Sequence, residues 1–587
     1  MDRNSAIGLS LIAIIFIVYI YYLSPSSPPP AQQPDQTIIQ SDTIRNENAT
    51  ESIANDTTKQ ELSLTTIENE DLALTFSNHG SLNSVELTKF KTYYQKPLML
   101  ASPADNRFSL TGLIDGKQID LYQLFYEQNT ASVGDTTVLT FTANVGNGTV
   151  THTYKLPKTG HEVRYYIETR GVTFNENLAY TWNNNIPVQE KQLDESRQRT
   201  TANWYTVADG FDNISENALD FESETVVGPI RWASFRQKFF LSAILADKPF
   251  SSGEFTTVAN SADTAHVKDA SMKLSVSSPD LSGKRAAFRY FFGPNDYRLL
   301  GDIKNVESFQ RNVYLGWPPL KWVNQFVILP IFHVLETIFS NYGVIIMILV
   351  LMVRLILTPL SYSSYLGMAK MRLLKPELDA IKAKNGENMA QAQQDQMKLY
   401  KEAGVNPFSG CIPLLLQLPI LLAMFYFFPV SIEFRQEHFL WAEDLSTYDS
   451  ILNLPFSIPG YGDHVSLFVL LMTISTLIST WQNNQISSVQ GPMKSVSYIM
   501  PVVFLFILNS FSAALSFYYF VSNVFGFIQQ LIIRRFVDED KIKVVMEDHK
   551  KKMATGEVVP GKKSKFMAKL EEAMKASEEA KKKNSRK

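Results

Sequence analysis

The sequence predicts an α-helical membrane protein, an N-terminal anchor plus a five-helix core, carrying a large all-β antiparallel sandwich domain outside the membrane. Three observations carry that prediction. Residues 341–360 form a twenty-residue apolar run, and at a rise of ~1.5 Å each they span ~30 Å, the depth of a bilayer's hydrocarbon core. Four more apolar blocks follow at 412–430, 465–481, 497–511 and 513–533. Between an early apolar run, 6–23, and this cluster, residues 61–302 are dominated by a period of two.

Averages conceal this segregation. The 587 residues are 45% hydrophobic with a net charge of −3. Residues 24–320 hold 26 Lys+Arg against 35 Asp+Glu, whereas residues 534–587 hold 17 against 10. Basic residues collect on the cytoplasmic side of a membrane, so the tail is expected inside and the acidic domain outside. The one cysteine, Cys411, excludes an intrachain disulfide, and the acidic domain must be held by its own core.

Residues 1–23 read as an uncleaved anchor. Arg3 precedes the apolar run, no charge falls inside it, and it ends in Tyr21-Tyr22 rather than in a small-residue cleavage site. Residues 24–60, rich in Pro, Gln, Ser, Asn and Asp, read as a flexible linker. Residues 61–319 read as the β domain outside the membrane. Within it, 136–156 gives two alternating runs joined at Asn147-Gly148, a type I′ hairpin signal, and Val163, Tyr165 and Ile167 alternate in the next run. His152 and His161 stand singly in strand patterns, as core residues do. No metal spacing, G-x-S-x-G or Walker loop occurs, so no cofactor, metal or covalent chemistry is expected.

Residues 320–339 carry apolar positions at Leu320, Val323, Val327, Ile331, Val334 and Ile338 with polar flanks that include Asn324, which predicts an amphipathic interfacial helix. Residues 340–533 form the core. It includes a cytoplasmic helical hairpin, 361–410, whose seam is Met371, Leu374, Leu378 and Ile381, with Met389 and Met397 on the second arm. Gly386 makes its turn, and Pro376 marks a first turn or a kink. The loop 431–463 has one arginine and six acids and belongs outside. The result is six spans with both termini cytoplasmic. The tail, 534–587, is either a solvated charge run or a surface for anionic lipid or ribosomal RNA.

Arg354 is the one charge within these apolar blocks. An arginine near the centre of a membrane helix costs ~2.5–3.5 kcal/mol, so something local must offset it. Either the side chain snorkels to the headgroups, or it faces a wet cavity between helices. The other polar groups at that depth are neutral, among them Gln417, Thr473, Ser475, Thr476, Ser522, Asn523, Gln529 and Gln530. Without an intramembrane carboxylate, a proton relay lacks an acceptor.

The run GVNPFSGCIPLLLQLP over 404–419, the arginine of the first core helix, and Tyr518-Tyr519-x-Val521-Ser522-Asn523 resemble the YidC/Oxa/Alb membrane-insertase family. The likeness covers the full length, in the layout of the Gram-negative bacterial members. It implies that the β domain is a periplasmic β-supersandwich, and that the protein belongs to the inner membrane and inserts nascent membrane proteins, alone or beside the Sec translocon. It implies that Arg354 lies in a hydrophilic groove open to cytoplasm and lipid. Gln417 falls on the family's polar position of the next span, and Tyr518 and Tyr519 on its client-contact region, beside Ser522 and Asn523. The hairpin resembles the element that receives clients, and the ribosome and the signal recognition particle receptor are implied partners along with membrane lipids. Val350 stands where some members carry a polar residue. Two other classes compete: a small-anion transporter with Arg354 as its site, and an enzyme housed in the β domain.

Overall fold

The computed structural model describes residues 61–386, 388–406, 412–486 and 492–555. The expected anchor, 1–23, the linker, 24–60, and the tail beyond 555 lie outside the described residues.

The period-two sequence becomes two antiparallel sheets. A four-stranded sheet runs in chain order from Leu64–Glu68 through Leu72–Ser77 and Leu82–Lys91 to Pro97–Ala101. It covers one face of a thirteen-stranded sheet. The central path of that sheet orders Lys117–Asp120, Asn106–Ile114, Leu178–Pro187, His266–Val276, Phe240–Val258, Arg285–Pro294, Glu162–Arg170, Gly148–Pro157, Thr136–Val145 and Glu127–Val133. Tyr165 sits directly opposite Tyr154 on one side and Phe288 on the other, a buried aromatic row across three strands. Phe76 of the small sheet packs on Tyr154 and Phe141 of the large one. The antiparallel β sandwich expected from the sequence is thus present, with its core between the sheets.

The hairpin turn lies one residue earlier than the Asn-Gly signal suggests. Val145 pairs with Gly148, so the loop is Gly146-Asn147, and only Gly146 has positive φ, at 60°. Glycine at the first central position is the type II′ signature, not I′. Gly148 instead answers a close approach, because a Cβ there would fall 2.4 Å from the Arg170 carbonyl oxygen. His152 is fully buried, with Nδ1 2.8 Å from the Tyr165 hydroxyl and Nε2 2.9 Å from that of Tyr126. Burial pushes its pKa down to about 3, which keeps the ring neutral.

Phe240 to Ala246 is buried without alternation because both its faces are covered. Phe240, Ile244 and Ala246 face the sandwich core; Leu241, Ala243 and Leu245 join a second core that continues through Leu315 and Ile328 into the membrane helices. That second core includes the helix α1, expected to be interfacial and built from Pro318–Val323, a π turn at Asn324–Ile328, and Leu329–Glu336. Its buried face is Leu320, Asn324, Ile328, Phe332 and Leu335. Asn324, counted from sequence as a polar flank, is fully buried and donates to the carbonyls of Leu315 and Ala423. Val327, Val334 and Ile338 are exposed with Trp322 and Phe326, giving the helix a second apolar face. Buried hydrogen bonding outweighs residue polarity here, and the π turn rotates the stripe.

The helices that follow are α2 (Tyr342–Ile356), α3 (Thr358–Leu373), α4 (Lys375–Asn385), α5 (Met389–Glu402), α6 (Ile412–Phe427), α7 (Leu467–Ile486), α8 (Pro492–Leu508), α9 (Ala513–Phe536) and α10 (Glu539–Ala554). Among the described residues α9 alone is by itself long and apolar enough to cross a membrane; α2 and α3 pass together but are bent by 60°. Pro359 explains the bend, since it lacks an N–H and its ring clashes with the carbonyl four residues back. The β domain is seated on loops that join the helices. Arg435 Nε donates to Glu190 at 2.8 Å in a buried pair, Lys238 Nζ donates to the Ser446 carbonyl at 3.4 Å, and Gln192 Nε2 to the Ser510 carbonyl at 2.8 Å.

Candidate functional site

Arg354 occupies the last turn of α2, just before the bend. Its guanidinium turns inward to α9, where Nη2 donates to the Ser522 carbonyl oxygen at 2.7 Å and to the Ser522 hydroxyl at 2.9 Å. The snorkelling geometry, with the head drawn along the helix toward lipid headgroups, is not adopted. The helix break frees the carbonyl of Arg354, and two groups take it: the Thr358 hydroxyl at 2.9 Å and Gln529 Nε2 at 3.2 Å. Gln529 also donates to Thr358 Oγ1 at 2.8 Å. A helix end inside an apolar layer needs such partners, because an unsatisfied carbonyl there costs several kcal/mol.

One turn of α9 connects this to a second polar set. Asn523 Nδ2 donates to Ser475 Oγ at 3.0 Å and Thr476 Oγ1 at 2.8 Å on α7. These hydroxyls in turn donate to the Met472 carbonyl oxygen. Arg354 is half-buried and, among the described residues, has no carboxylate partner. An arginine has five N–H donors and Ser522 takes two of them, so three remain for water or an incoming acceptor. Chemically, the arrangement is a fixed cation with spare donors on a floor of neutral polar groups. It can attract and orient a carboxylate without a proton-transfer partner.

The other expected residues divide. Tyr518 is buried against Phe428, with Tyr519 beside it at 6.1 Å, and Tyr518 lies within electrostatic range of Arg354. Gln417 is half-buried on α6 and makes no hydrogen bond among the described residues, so the structure does not bring it into the Arg354 set. Sequence reasoning missed Thr358 and Gly526. A Cβ at Gly526 would lie 3.0 Å from Arg354 Nη2, so the guanidinium rests where α9 has no side chain. The signal was a lone glycine in a helix of large side chains.

In the hairpin, Leu374 and Leu378 are buried, with Met371 and Ile381 packed against them. Their partners are Leu399 of α5, Ala403 just beyond its end and, unexpectedly, Ile542 and Met546 of α10. Met397 is exposed and lies off this seam, since two residues before Leu399 is ~200° around a helix. The side chain of Met389 lies outside the described residues. The first part of the tail is therefore a third helix on the hairpin. It is tied by an Arg372–Glu539 ion pair and by Lys550 to Glu377 at 2.6 Å, not a solvated charge run.

Comparison with known proteins gives the family. Residues 64–332 match the YidC periplasmic domain and residues 334–540 the 60Kd inner membrane protein family. The membrane protein insertase YidC of Amoebophilus asiaticus (strain 5a2) is 41% identical over 98% of this chain and 99% of its own length. That of Cytophaga hutchinsonii is 43% identical over 99% and 98%. A crystal structure of an active YidC insertase with its first transmembrane domain resolved is 18% identical, covering 90% of this chain and 99% of its own, with a TM-score of 0.33. The chain belongs to the YidC family of membrane protein insertases, proteins of the inner membrane.

Proposed function

We propose that the protein inserts nascent membrane proteins by receiving them in a groove, open to cytoplasm and lipid, whose floor is Arg354, Ser522, Asn523 and their partners. The observation that carries this reading is the Arg354 guanidinium, which bonds Ser522 with two of its donors and meets no carboxylate among the described residues. A client helix of ~20 apolar residues gains about 0.3–0.6 kcal/mol per residue on insertion, so the obstacle is kinetic. A polar tail must cross first, and each acidic residue costs ~3 kcal/mol at mid-depth. A wet half-channel shortens the dry path, and Arg354 pairs transiently with the acid. The client then leaves sideways into lipid, with no nucleotide or covalent step.

In this reading the chain spans the membrane six times with both termini cytoplasmic and the β domain periplasmic. Gln417 and Tyr519 contact the client, Tyr518, expected from the resemblance to do so, is buried and supports the floor from behind, and the hairpin of α4 and α5 receives the client. The Sec translocon, the ribosome and the signal recognition particle receptor are its partners. Site-specific crosslinking of a ribosome-stalled client from positions 354 and 519 tests the route. Crosslinks from both positions that move along the client as it lengthens support it; crosslinks from neither rule it out.

A further inference from the structure

The loop between α6 and α7 carries a hairpin that the groove does not use. Its strands are β1 (Leu452–Ile458) and β2 (Gly462–Val465). Leu452 pairs with Val465, Asn453 with His464 and Ile458 with Gly462, with the ladder irregular between. Alternate positions of β1 are apolar, Leu452, Leu454, Phe456 and Ile458, and residues 451–460 contain no charge. A two-stranded hairpin is marginally stable in water, and an apolar one exposes a row of unpaired backbone groups to any passing strand. Yet Ile451 is 49% exposed, Leu452 56% and Phe456 60%.

The other strand fixes where this apolar surface sits. His464 is buried, with Nε2 3.0 Å from the Asn509 carbonyl oxygen and its ring stacked on Tyr448 at 3.6 Å. Asn509 Nδ2 donates to the carbonyls of Tyr461 and His464, at 2.9 and 2.8 Å. Tyr461 meets Phe506 edge-on at 5.5 Å. The hairpin is therefore clamped to the end of α8, where Phe506 and Ile507 are exposed apolar residues that continue a flank begun by Ile499 and Val502.

We propose that this hairpin is a membrane-interface anchor. β1 lies in the headgroup–acyl boundary of the leaflet nearer the β domain and extends the lipid-facing surface of α8. Continuity with that surface and the charge-free strand select lipid over a protein partner. The irregular ladder leaves backbone groups that need water or headgroups, which limits the strand to the interface and excludes deep insertion.

The test uses full-length protein with Cys411→Ser in phosphatidylethanolamine–phosphatidylglycerol vesicles containing doxyl-labelled phosphatidylcholine. An environment-sensitive dye is attached at Phe456→Cys, at Leu452→Cys, or at Ser132→Cys on an exposed edge strand of the β domain. The dyes at 456 and 452 are expected to be blue-shifted and to lose more than about half their emission to shallow doxyl groups, with the dye at 132 unaffected. Emission at 456 and 452 matching that at 132 would overturn the proposal. So would a blue shift without doxyl quenching, which means burial against protein. Two labelled sites guard against one substitution unfolding the loop.

Discussion

Arg354 Nη2 donates to two oxygens of a single residue, the carbonyl and the hydroxyl of Ser522, and so is oriented by α9 although it belongs to α2. If the free donors serve acidic clients, Arg354→Ala slows insertion of acidic-tailed clients selectively. A charge-assisted hydrogen bond of ~1.5–3 kcal/mol corresponds to a factor of about 10–100 in rate. Ser522→Ala keeps the carbonyl acceptor and should lose far less. Insertion of matched acidic and neutral clients into reconstituted vesicles checks both; equal slowing of the two client types would leave groove hydration as the only role of the arginine.

Gly526 gives a separate handle on the same cation. Gly526→Ala removes a helix-interior glycine, worth up to ~1 kcal/mol of stability, but places a methyl group 3.0 Å from Nη2. The flexible guanidinium should yield rather than the backbone. The expected outcome is an unchanged or higher melting temperature with slower insertion of acidic clients and unaltered neutral ones. Loss of both client types, or of stability, would mean that the glycine serves helix packing instead.

The sequence made the sandwich legible because a half-buried strand alternates, and Val163, Tyr165 and Ile167 do point into one core. Around Phe239 to Leu245 the run reads as a further strand, which it is, but not as one covered on both faces, since continuous burial there erases the period that would tell one core from the other. Arg354 was conspicuous as a charge in an apolar run, but which way it turned depended on Ser522, 168 residues away in the chain. The α10 contact was hidden for a different reason. Ile542 and Met546 are two apolar residues among many charges, and composition reports the solvated face of such a helix better than its buried one.

The link between the domains rests on Arg435 and Glu190, both buried, with Arg435 also donating to the Lys91 carbonyl at 2.6 Å. Removing one partner leaves an uncompensated buried charge, a loss of ~3–5 kcal/mol, whereas replacing both with apolar residues can be nearly neutral. Arg435→Met should therefore lower the melting temperature and open the loop 431–450 to protease, and the Arg435→Met, Glu190→Leu double variant should recover most of the loss. Full stability in the single variant would show that the pair does not hold the β domain in place.

Because α10 packs on the hairpin, shortening the tail has two separable effects. Deleting 556–587 leaves α10 whole and should weaken co-sedimentation with ribosomes, with the remaining binding less sensitive to salt, as expected when phosphate contacts are lost. Ile542→Asp leaves the basic residues and instead places a charge in the Leu378–Leu399 seam, so it should raise protease sensitivity across 374–405. Unchanged sedimentation on deletion would make the distal tail a solvated segment.

The β domain contains its own pH reporter. His152 is held near pKa 3 by burial and would titrate near 6.5 in the unfolded chain. Its folded-state value is depressed, so its contribution is fully present above about pH 6.5. It is lost as pH falls toward 3, because the unfolded chain takes up a proton that the folded domain refuses. Between pH 7 and 5 the loss amounts to about 2 kcal/mol. Other groups titrate over the same range, so the measurement is a difference: melting of the full-length protein against pH, compared with His152→Gln. The variant is less stable at pH 7, having lost its fit between Tyr126 and Tyr165, but its melting temperature should fall less steeply on acidification. Parallel pH profiles would mean that the imidazole accepts a proton in the folded state, and the two tyrosine hydroxyls would then have to act as acceptors for a charged ring.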